Sequence, residues 1–353
     1  MEQVLEYPLT KYSHGGGCGC KIAPAVLDEI LKTNLASPNY EKLLVGNASK
    51  DDAAAYDLGD GTALISTTDF FMPIVNDAFE FGQIAAANAI SDVYAMGGKP
   101  VMAIAILGWP VNTLPVGAAQ RVLDGARSIC NEARIPLAGG HSIDTPEPVF
   151  GLAVSGLCNI SNLKRNDAAR EGDYLFLTKP IGVGIMTTAM KRGVLKPEHH
   201  VAIIKQLTQL NKVGEAMGRI QGVHAMTDVT GFGIAGHGIE MAEGSGLTAE
   251  ISYQALLKIE GVQEYIAQNI GPDATTRNWS GYGSKIHFAE GVDVMEAFKL
   301  LPDPQTNGGL LIAVGEQDLA RVKSVLCQFG LGKFSEPVGR MIAKGDKCLI
   351  VNC

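Results

Sequence analysis

The stretch SHGGGCGCK, Ser13 to Lys21, sets two cysteines and a lysine among four glycines, ahead of any recognisable core. A structural thiol wants apolar neighbours, and this arm has almost none, so Cys18 and Cys20 read as presented rather than buried. Glycines let backbone N–H groups approach an anion, and Lys21 three residues on favours the thiolate; together they predict a reactive Cys18 with a lowered pKa. Lys21 can also meet a phosphate as a point charge. The arm is not a Walker A loop, because Lys21 is flanked by Cys20 and Ile22. Nor does it match the dinucleotide fingerprint, which follows a strand. Two further readings stay open: Cys-X-Cys with His14 as three metal ligands, and a flexible arm with incidental cysteines.

The acidic residues offer a second chemistry. Asp51 and Asp52 follow LLVGNASK, Asp69 and Asp228 close the apolar runs ISTTD and HAMTD, and Asp92 sits inside AAANAISDVYAMGG. Each has a plain alternative as a helix or turn cap. Asp92 fits that alternative worst, since aspartate is a poor helix former and its small neighbours imply a closely packed helix. Converging carboxylates repel by about 4 kcal/mol per pair at roughly 4 Å and a surface-like dielectric, so a cation must offset them. Oxygen ligands without a histidine cluster suit Mg²⁺, which bridges a few carboxylates to substrate phosphates.

LAGGHSIDTPEP (Leu137 to Pro148) offers paired glycines with His141 and Ser142, either a phosphate or nucleotide contact or a simple turn. DPQTNGGLL (Asp303 to Leu311) reads as a structural entry to a strand. Cys130, Cys158 and Cys327 stand in apolar contexts and read as packed; His199 and His200 read as surface residues.

These residues need elements to place them. From Ala63 the sequence alternates strand-like and helix-like runs: ALISTTDFF, FGQIAAANAISDVYAMGG, VMAIAILGW, AAQRVLDGARSICNEA, PLAGGHS and VFGLAVSGLC. After the polar stretch Asn159 to Asp173 the alternation resumes with YLFLTKP, GVGIMTTAMKRG and one long helix over VAIIKQLTQLNKVGEAMGRI. Strands at VHAMTD, LTAEISY and GGLLIAV follow, with a helix at DLARVKSVLCQFG. The predicted class is α/β of the α+β type. The expected parts are an arm and lead-in over 1–45, a nucleotide- and metal-binding half over 46–160, and a second half over 172–353. A carboxylate closing a strand would point into the crevice where open sheets bind ligands.

Bulk properties narrow the classes. A chain of 353 residues exceeds the usual single core, and 46% hydrophobic with 19% charged residues describes a folded, water-soluble protein. A net charge of −8 opposes broad nucleic-acid binding. No run of 18 apolar residues reads as a membrane span, and the first residues lack a secretory pattern. With seven scattered cysteines, reduced thiols and a cytoplasmic setting are expected.

Taken in order, SHGGGCGCKIAP, LLVGNASKDDAAAYDLG, ISTTDFFMPIV, NAISDVYAMGGKP, AILGWP, LAGGHSIDTPEP, AMTDVTGFG and DPQTNGG resemble the selenophosphate synthase (selenide, water dikinase) family. That family belongs to the aminoimidazole ribonucleotide synthetase-like superfamily. The resemblance runs from about Tyr12 to the end, and its specificity rests on the Cys-X-Cys-Lys arm. It implies the two-domain fold of that superfamily with a mobile Gly-rich arm. It also implies conversion of ATP, selenide and water to selenophosphate, AMP and phosphate, supplying activated selenium for selenocysteine and selenium-modified tRNA.

By position, Cys18 matches the family's catalytic cysteine and Lys21 its essential lysine, while Asp52, Asp92 and Asp228 match Mg²⁺ ligands. Lys21, Ser49, Lys50, Asp51, Asp69, Asp92, Gly140, His141 and Ser142 match nucleotide contacts, and the resemblance implies a homodimer whose partner chain supplies the last three. A selenium-delivering protein is a further implied partner. Asn307 departs from the serine many members carry, which touches only a turn. Cys353 at the chain's end raises a rival, a hydrogenase-maturation relative, but KCLIVNC lacks that family's Pro-Arg-Ile-Cys context. A selenium or persulfide carrier would use Cys18 and leave the aspartates unexplained.

Overall fold

The computed structural model describes residues 7–22, 24–32, 40–47 and 51–353. After a short helix α1 (Pro24–Ile30), the first sheet collects β1 (Leu43–Val45), β2 (Ala54–Asp57), β3 (Thr62–Phe71), β4 (Lys99–Trp109), β5 (Leu137–Asp144) and β6 (Val149–Asn159). Its spatial order is β1-β2-β3-β6-β4-β5, antiparallel except for the β4–β5 pair. Helices α2 (Ala78–Ala95) and α3 (Val116–Glu132) pack together beside it. Asp77 caps α2 by accepting from the Glu80 N–H. The two helices touch through glycines: a Cβ on Gly82 would lie 1.9 Å from the Val122 carbonyl oxygen, and one on Gly125 2.0 Å from that of Phe79.

The second sheet collects β7 (Tyr174–Leu177), β8 (Val223–Asp228), β9 (Thr248–Ser252), β10 (Ile286–Phe288), β11 (Leu310–Val314), β12 (Gly339–Ile342) and β13 (Leu349–Asn352). Its order is β10-β13-β9-β12-β7-β11-β8; β13 runs parallel to both neighbours and the other pairs are antiparallel. Helices α4 (Val183–Lys191), α5 (Pro197–Thr208), α6 (Val213–Gly218), α7 (Gly233–Ser245), α8 (Val262–Ala267), α9 (Asp273–Tyr282), α10 (Val294–Leu300) and α11 (Leu319–Gln328) complete this half. No described helix is long and apolar enough to cross a membrane.

Helix α2 is buried nearly all round because both halves press on it. Its Ser91 hydroxyl donates to Asp228 at the end of β8, and a Cβ on Gly214 of α6 would meet the Tyr94 carbonyl oxygen at 2.2 Å. The small residues of AAANAIS are therefore a packing requirement, as the sequence suggests. The expected long helix over 201–220 is instead split into α5 and α6. Carbonyls there serve side chains rather than a continuing helix: Asn307 Nδ2 donates to the oxygens of Leu207 and Gln209, and Lys179 Nζ to that of Gln209. Asn211 Nδ2, in the break, donates to Ser91 Oγ and the Gly308 oxygen.

Candidate functional site

Between the two halves lies a cleft of about 970 Å³ whose wall includes Lys21, Asp51, Asp52, Asp69, Asp92 and Asp228. The loop before β2 supplies Asp51 and Asp52, β3 supplies Asp69, α2 supplies Asp92 and β8 supplies Asp228. The crevice is thus formed where two largely antiparallel sheets meet, rather than at the carboxyl edge of one parallel sheet as the strand-end reading has it.

Hydroxyls and amides steady these carboxylates. Thr67 donates to Asp92 Oδ2, Thr227 to Asp52 Oδ1 at 2.7 Å, Ser91 to Asp228 Oδ2 at 2.6 Å, and Asn88 Nδ2 to Asp69 Oδ2 at 2.5 Å. Asp52 Oδ2 is buried and has no hydrogen-bond partner among the described residues. Burial, followed by the charges of neighbouring aspartates, raises Asp52 and Asp92 well above the usual carboxylate range. Burial also pushes Asp51 up to about 7 and Asp228 to about 6, the latter held back by the Ser91 hydroxyl and Lys21. A buried acceptor beside mutually repelling acids fits a cation. Among the described residues no three histidine, cysteine or acidic groups close around a common point. An ion held here would need phosphate oxygens and water to complete its shell, as a hard ion with an oxygen donor set does.

The arm docks into this arrangement and corrects its reading as solvent-presented. Cys18 is only 2% exposed, whereas Cys20 is half-buried. The Cys18 N–H donates to Thr306 Oγ1 at 3.0 Å, its thiol donates to Asn88 Oδ1 at 3.3 Å, and Gly17 N–H donates to the Met72 oxygen at 3.0 Å. Gly17 has φ +55, and a Cβ there would fall 2.5 Å from both Ile74 Cδ1 and Thr306 Oγ1, so this glycine serves a tight seat. The expected lowering of the Cys18 pKa is also overturned. Burial, and then the Asp69 charge, push the thiol far up, and Lys21 with the Thr306 hydroxyl only partly offsets them. In this seat Cys18 is a protonated hydrogen-bond donor.

Lys21 lies open to the cleft, with Nζ 3.5 Å from Thr230 Oγ1 and 6.0 Å from the Phe232 ring centroid. Desolvation lowers its pKa, but Asp69, Cys18, Asp92 and Asp228 outweigh that and hold the ammonium charged. Behind it, His237 Nε2 accepts from the Thr230 N–H at 3.1 Å, and burial plus Lys21 pull the imidazole down to about 3. It is a neutral wall of the cleft.

Gly140, His141 and Ser142 do not join the cleft. They lie on the exposed edge strand β5, neither a loop after a strand nor a turn. Asp69, Leu152, Ala105 and Gly140 form one cross-strand row, so Gly140 stands about 14 Å from Asp69, three strand spacings away. Ser49 and Lys50 lie outside the described residues. Other readings divide: Cys130 and Cys158 are buried, but Cys327 is exposed because the end of α11 faces solvent. His199 is buried rather than superficial, since its Nδ1 pairs with the Tyr265 hydroxyl at 2.7 Å.

Sequence reasoning missed Asn88, Thr67, Thr227, His237 and the buried Lys179, whose Nζ donates to the Asn307 and Gln209 oxygens while burial lowers its pKa to about 7. Asn88 alone had a local signal: it stands one helical turn before Asp92, on the same face. DPQTNGG is indeed structural, but its structural task is to seat the arm through Thr306 and to bond Asn88 Oδ1 through the Asn307 N–H at 2.7 Å.

Residues 50–158 match the family described as AIR synthase related protein, N-terminal domain, and residues 170–352 match its C-terminal domain. A selenide, water dikinase of Aeromonas hydrophila is 54% identical over 95% of this chain and 96% of that protein. One of Photobacterium profundum is 58% identical over 89% of each. Among solved structures, the thiamine-monophosphate kinase of Stenotrophomonas maltophilia K279a superposes with a TM-score of 0.63 at 17% identity, over 94% of this chain and 96% of that one. Hydrogenase maturation protein HypE in complex with ATP gives 0.64 at 15% identity, over 98% and 95%. The last two establish likeness of fold.

Proposed function

Because the chain belongs to the selenide, water dikinase family, we propose that it makes selenophosphate from ATP, selenide and water, releasing AMP and phosphate. The observation that carries this reading is the single cleft where Asp51, Asp52, Asp69, Asp92 and Asp228 meet Lys21 of a cysteine-bearing arm. A carrier that merely bound selenium would not need buried, mutually repelling carboxylates at an arm's root.

Asp52, Asp92 and Asp228 would hold Mg²⁺, consistent with the unpartnered Asp52 Oδ2 and an all-oxygen donor set. Bound there, the ion supplies neutralisation of phosphate charge. Lys21 supplies a second positive charge over the phosphates, anchored against Phe232 and Thr230. Asp51, Asp69, Ser49 and Lys50 complete the nucleotide contacts on this chain. Asn88 positions the arm relative to the acids, joining the Cys18 thiol, Asp69 and the Asn307 N–H. While docked, Cys18 keeps its proton and serves as a hydrogen-bond donor to Asn88; forming a thiolate would require the arm to leave this seat.

The reading extends to a homodimer. The outer face of the first sheet carries exposed Phe70, Met102 and Ile104, apolar surface that a second copy would cover, bringing its own Gly140, His141 and Ser142 to the nucleotide. The division between 46–160 and 172–353 is supported by one sheet drawn from 43–159 and another from 174–352, while β1 (Leu43–Val45) joins the first sheet from within the 1–45 lead-in. A cytoplasmic setting is consistent with the seven free cysteines.

Phosphorus NMR of the protein with ATP, Mg²⁺ and anaerobic selenide tests the reaction. A resonance from a phosphorus–selenium bond, appearing together with AMP, is the expected result; ADP and phosphate alone would overturn it.

A further inference from the structure

The arm has a second side. Behind it lies a chamber of about 680 Å³ that shares Lys21 with the acidic cleft and is otherwise bounded by different residues. Cys20, Lys191, Arg192 and Arg277 line it, together with His14. Among the described residues, Asp273 is its one carboxylate. Lys191 Nζ donates to the oxygens of Ser13 and Gly15 at 3.1 and 3.3 Å, and Arg277 donates to the Gly19 oxygen at 2.7 Å. Both cations thus spend their described hydrogen bonds on backbone carbonyls, with Glu147 acting on Lys191 and Asp273 on the chamber wall offsetting only part of the positive charge. Cys18, whose thiol faces Asn88, sits on the same few residues of chain as Cys20, which faces the chamber.

A cavity lined mainly by one sign of charge, here Lys21, Lys191, Arg192 and Arg277 against Asp273, concentrates ions of the other sign and speeds their capture. A polyphosphate is served by the acidic side, where carboxylates accept a bridging metal; the cationic side has no such need and suits a small anion arriving alone. We propose that this chamber is the entry vestibule for the chalcogen substrate, gathering the hydrogen selenide monoanion behind the arm, opposite the nucleotide. Its volume exceeds that of one such ion, as befits a site that enriches rather than clasps. The half-buried thiol of Cys20 adds a soft, polarisable wall to which a chalcogenide is better matched than to the hard oxygens across the arm. The inference rests on the function proposed above.

Steady-state kinetics of selenophosphate formation test it with Lys191→Gln, Arg277→Gln and the double variant. The KM for hydrogen selenide should rise about tenfold in the double variant and lose much of its dependence on ionic strength, while the KM for ATP stays within twofold. Arg192→Gln, which removes a chamber charge at an exposed position without a described bond to the arm, should shift the selenide KM in the same direction by less. A readout independent of turnover is peptide-resolved alkylation of Cys20: anionic iodoacetate should gain on neutral iodoacetamide in the parent chain and lose that gain in the double variant. Hydrosulfide should protect Cys20. An unchanged selenide KM, an equal rise for ATP, or protection by inorganic phosphate instead of hydrosulfide would each overturn the vestibule. Absence of selenophosphate with the parent chain would instead overturn the functional reading.

Discussion

On one side of the Gly15–Lys21 segment stand Asp51, Asp52, Asp69, Asp92 and Asp228; on the other stand Lys191, Arg192 and Arg277, with Lys21 reaching both. Asp52 and Asp92 are raised in pKa by burial and by neighbouring aspartates, whereas Lys191 and Arg277 are exposed and spend their hydrogen bonds on carbonyls of the arm. On the roles proposed above, the difference would let an acidic protein handle two anionic substrates. One cavity needs a cation before a polyanion can enter; the other attracts an anion without help.

The comparison breaks most completely at the arm's thiol. Cys18→Ser should reduce selenophosphate formation below detection while nucleotide binding, read by calorimetry, stays within about twofold, because a hard hydroxyl is a poorer match than a soft thiol for orienting selenium. Full retained activity would remove Cys18 from the reaction. Next comes Asp92→Asn on the acidic side, expected to lower Mg²⁺-dependent turnover by about 10²-fold or more, since even groups one shell out from a metal cost 10- to 100-fold. An unaltered Mg²⁺ titration curve would contradict metal ligation.

The pH dependence sharpens the same contrast. Asp51 and Asp228 have folded values of about 7 and about 6, above the value near 3.9 of an unfolded aspartate. The folded state therefore binds more protons, so the metal-free chain should lose stability as pH rises from about 4 to about 7. Mg²⁺ should restore it increasingly over that range. Melting curves with chelator and with Mg²⁺ should diverge as pH rises; a constant gap would count against the acidic cleft as a cation site. The smallest effect is structural: Asn88→Ala leaves the Asn307 N–H without its partner, and should cost about 1–3 kcal/mol in denaturant unfolding. A change under about 0.5 kcal/mol would show that Asn88 does not hold the arm's seat.

What was legible in the sequence follows from how local each cause is. From Ala63 on, the strands and helices of the first half and the aspartates they carry could be read because hydrophobic periodicity and residue type act over a few residues, although Asp69 lies inside β3 rather than closing it. The burial of Cys18 could not, since its seat comes from Asn88 and Thr306, 70 and 288 residues away. The break between α5 and α6 was hidden for the same reason: the Leu207 and Gln209 carbonyls are taken by Asn307, about 100 residues on. Likewise, Gly140 to Ser142 look like a phosphate-binding turn, and only the sheet order places them at an edge strand.

A crystal structure of the full chain with Mg²⁺ and a non-hydrolysable ATP analogue is the most direct measurement. The account predicts metal within about 2.0–2.1 Å of oxygens from Asp52, Asp92 and Asp228, with the phosphates turned toward Lys21. Nucleotide seated in the chamber behind the arm, or metal held away from those three acids, would contradict it.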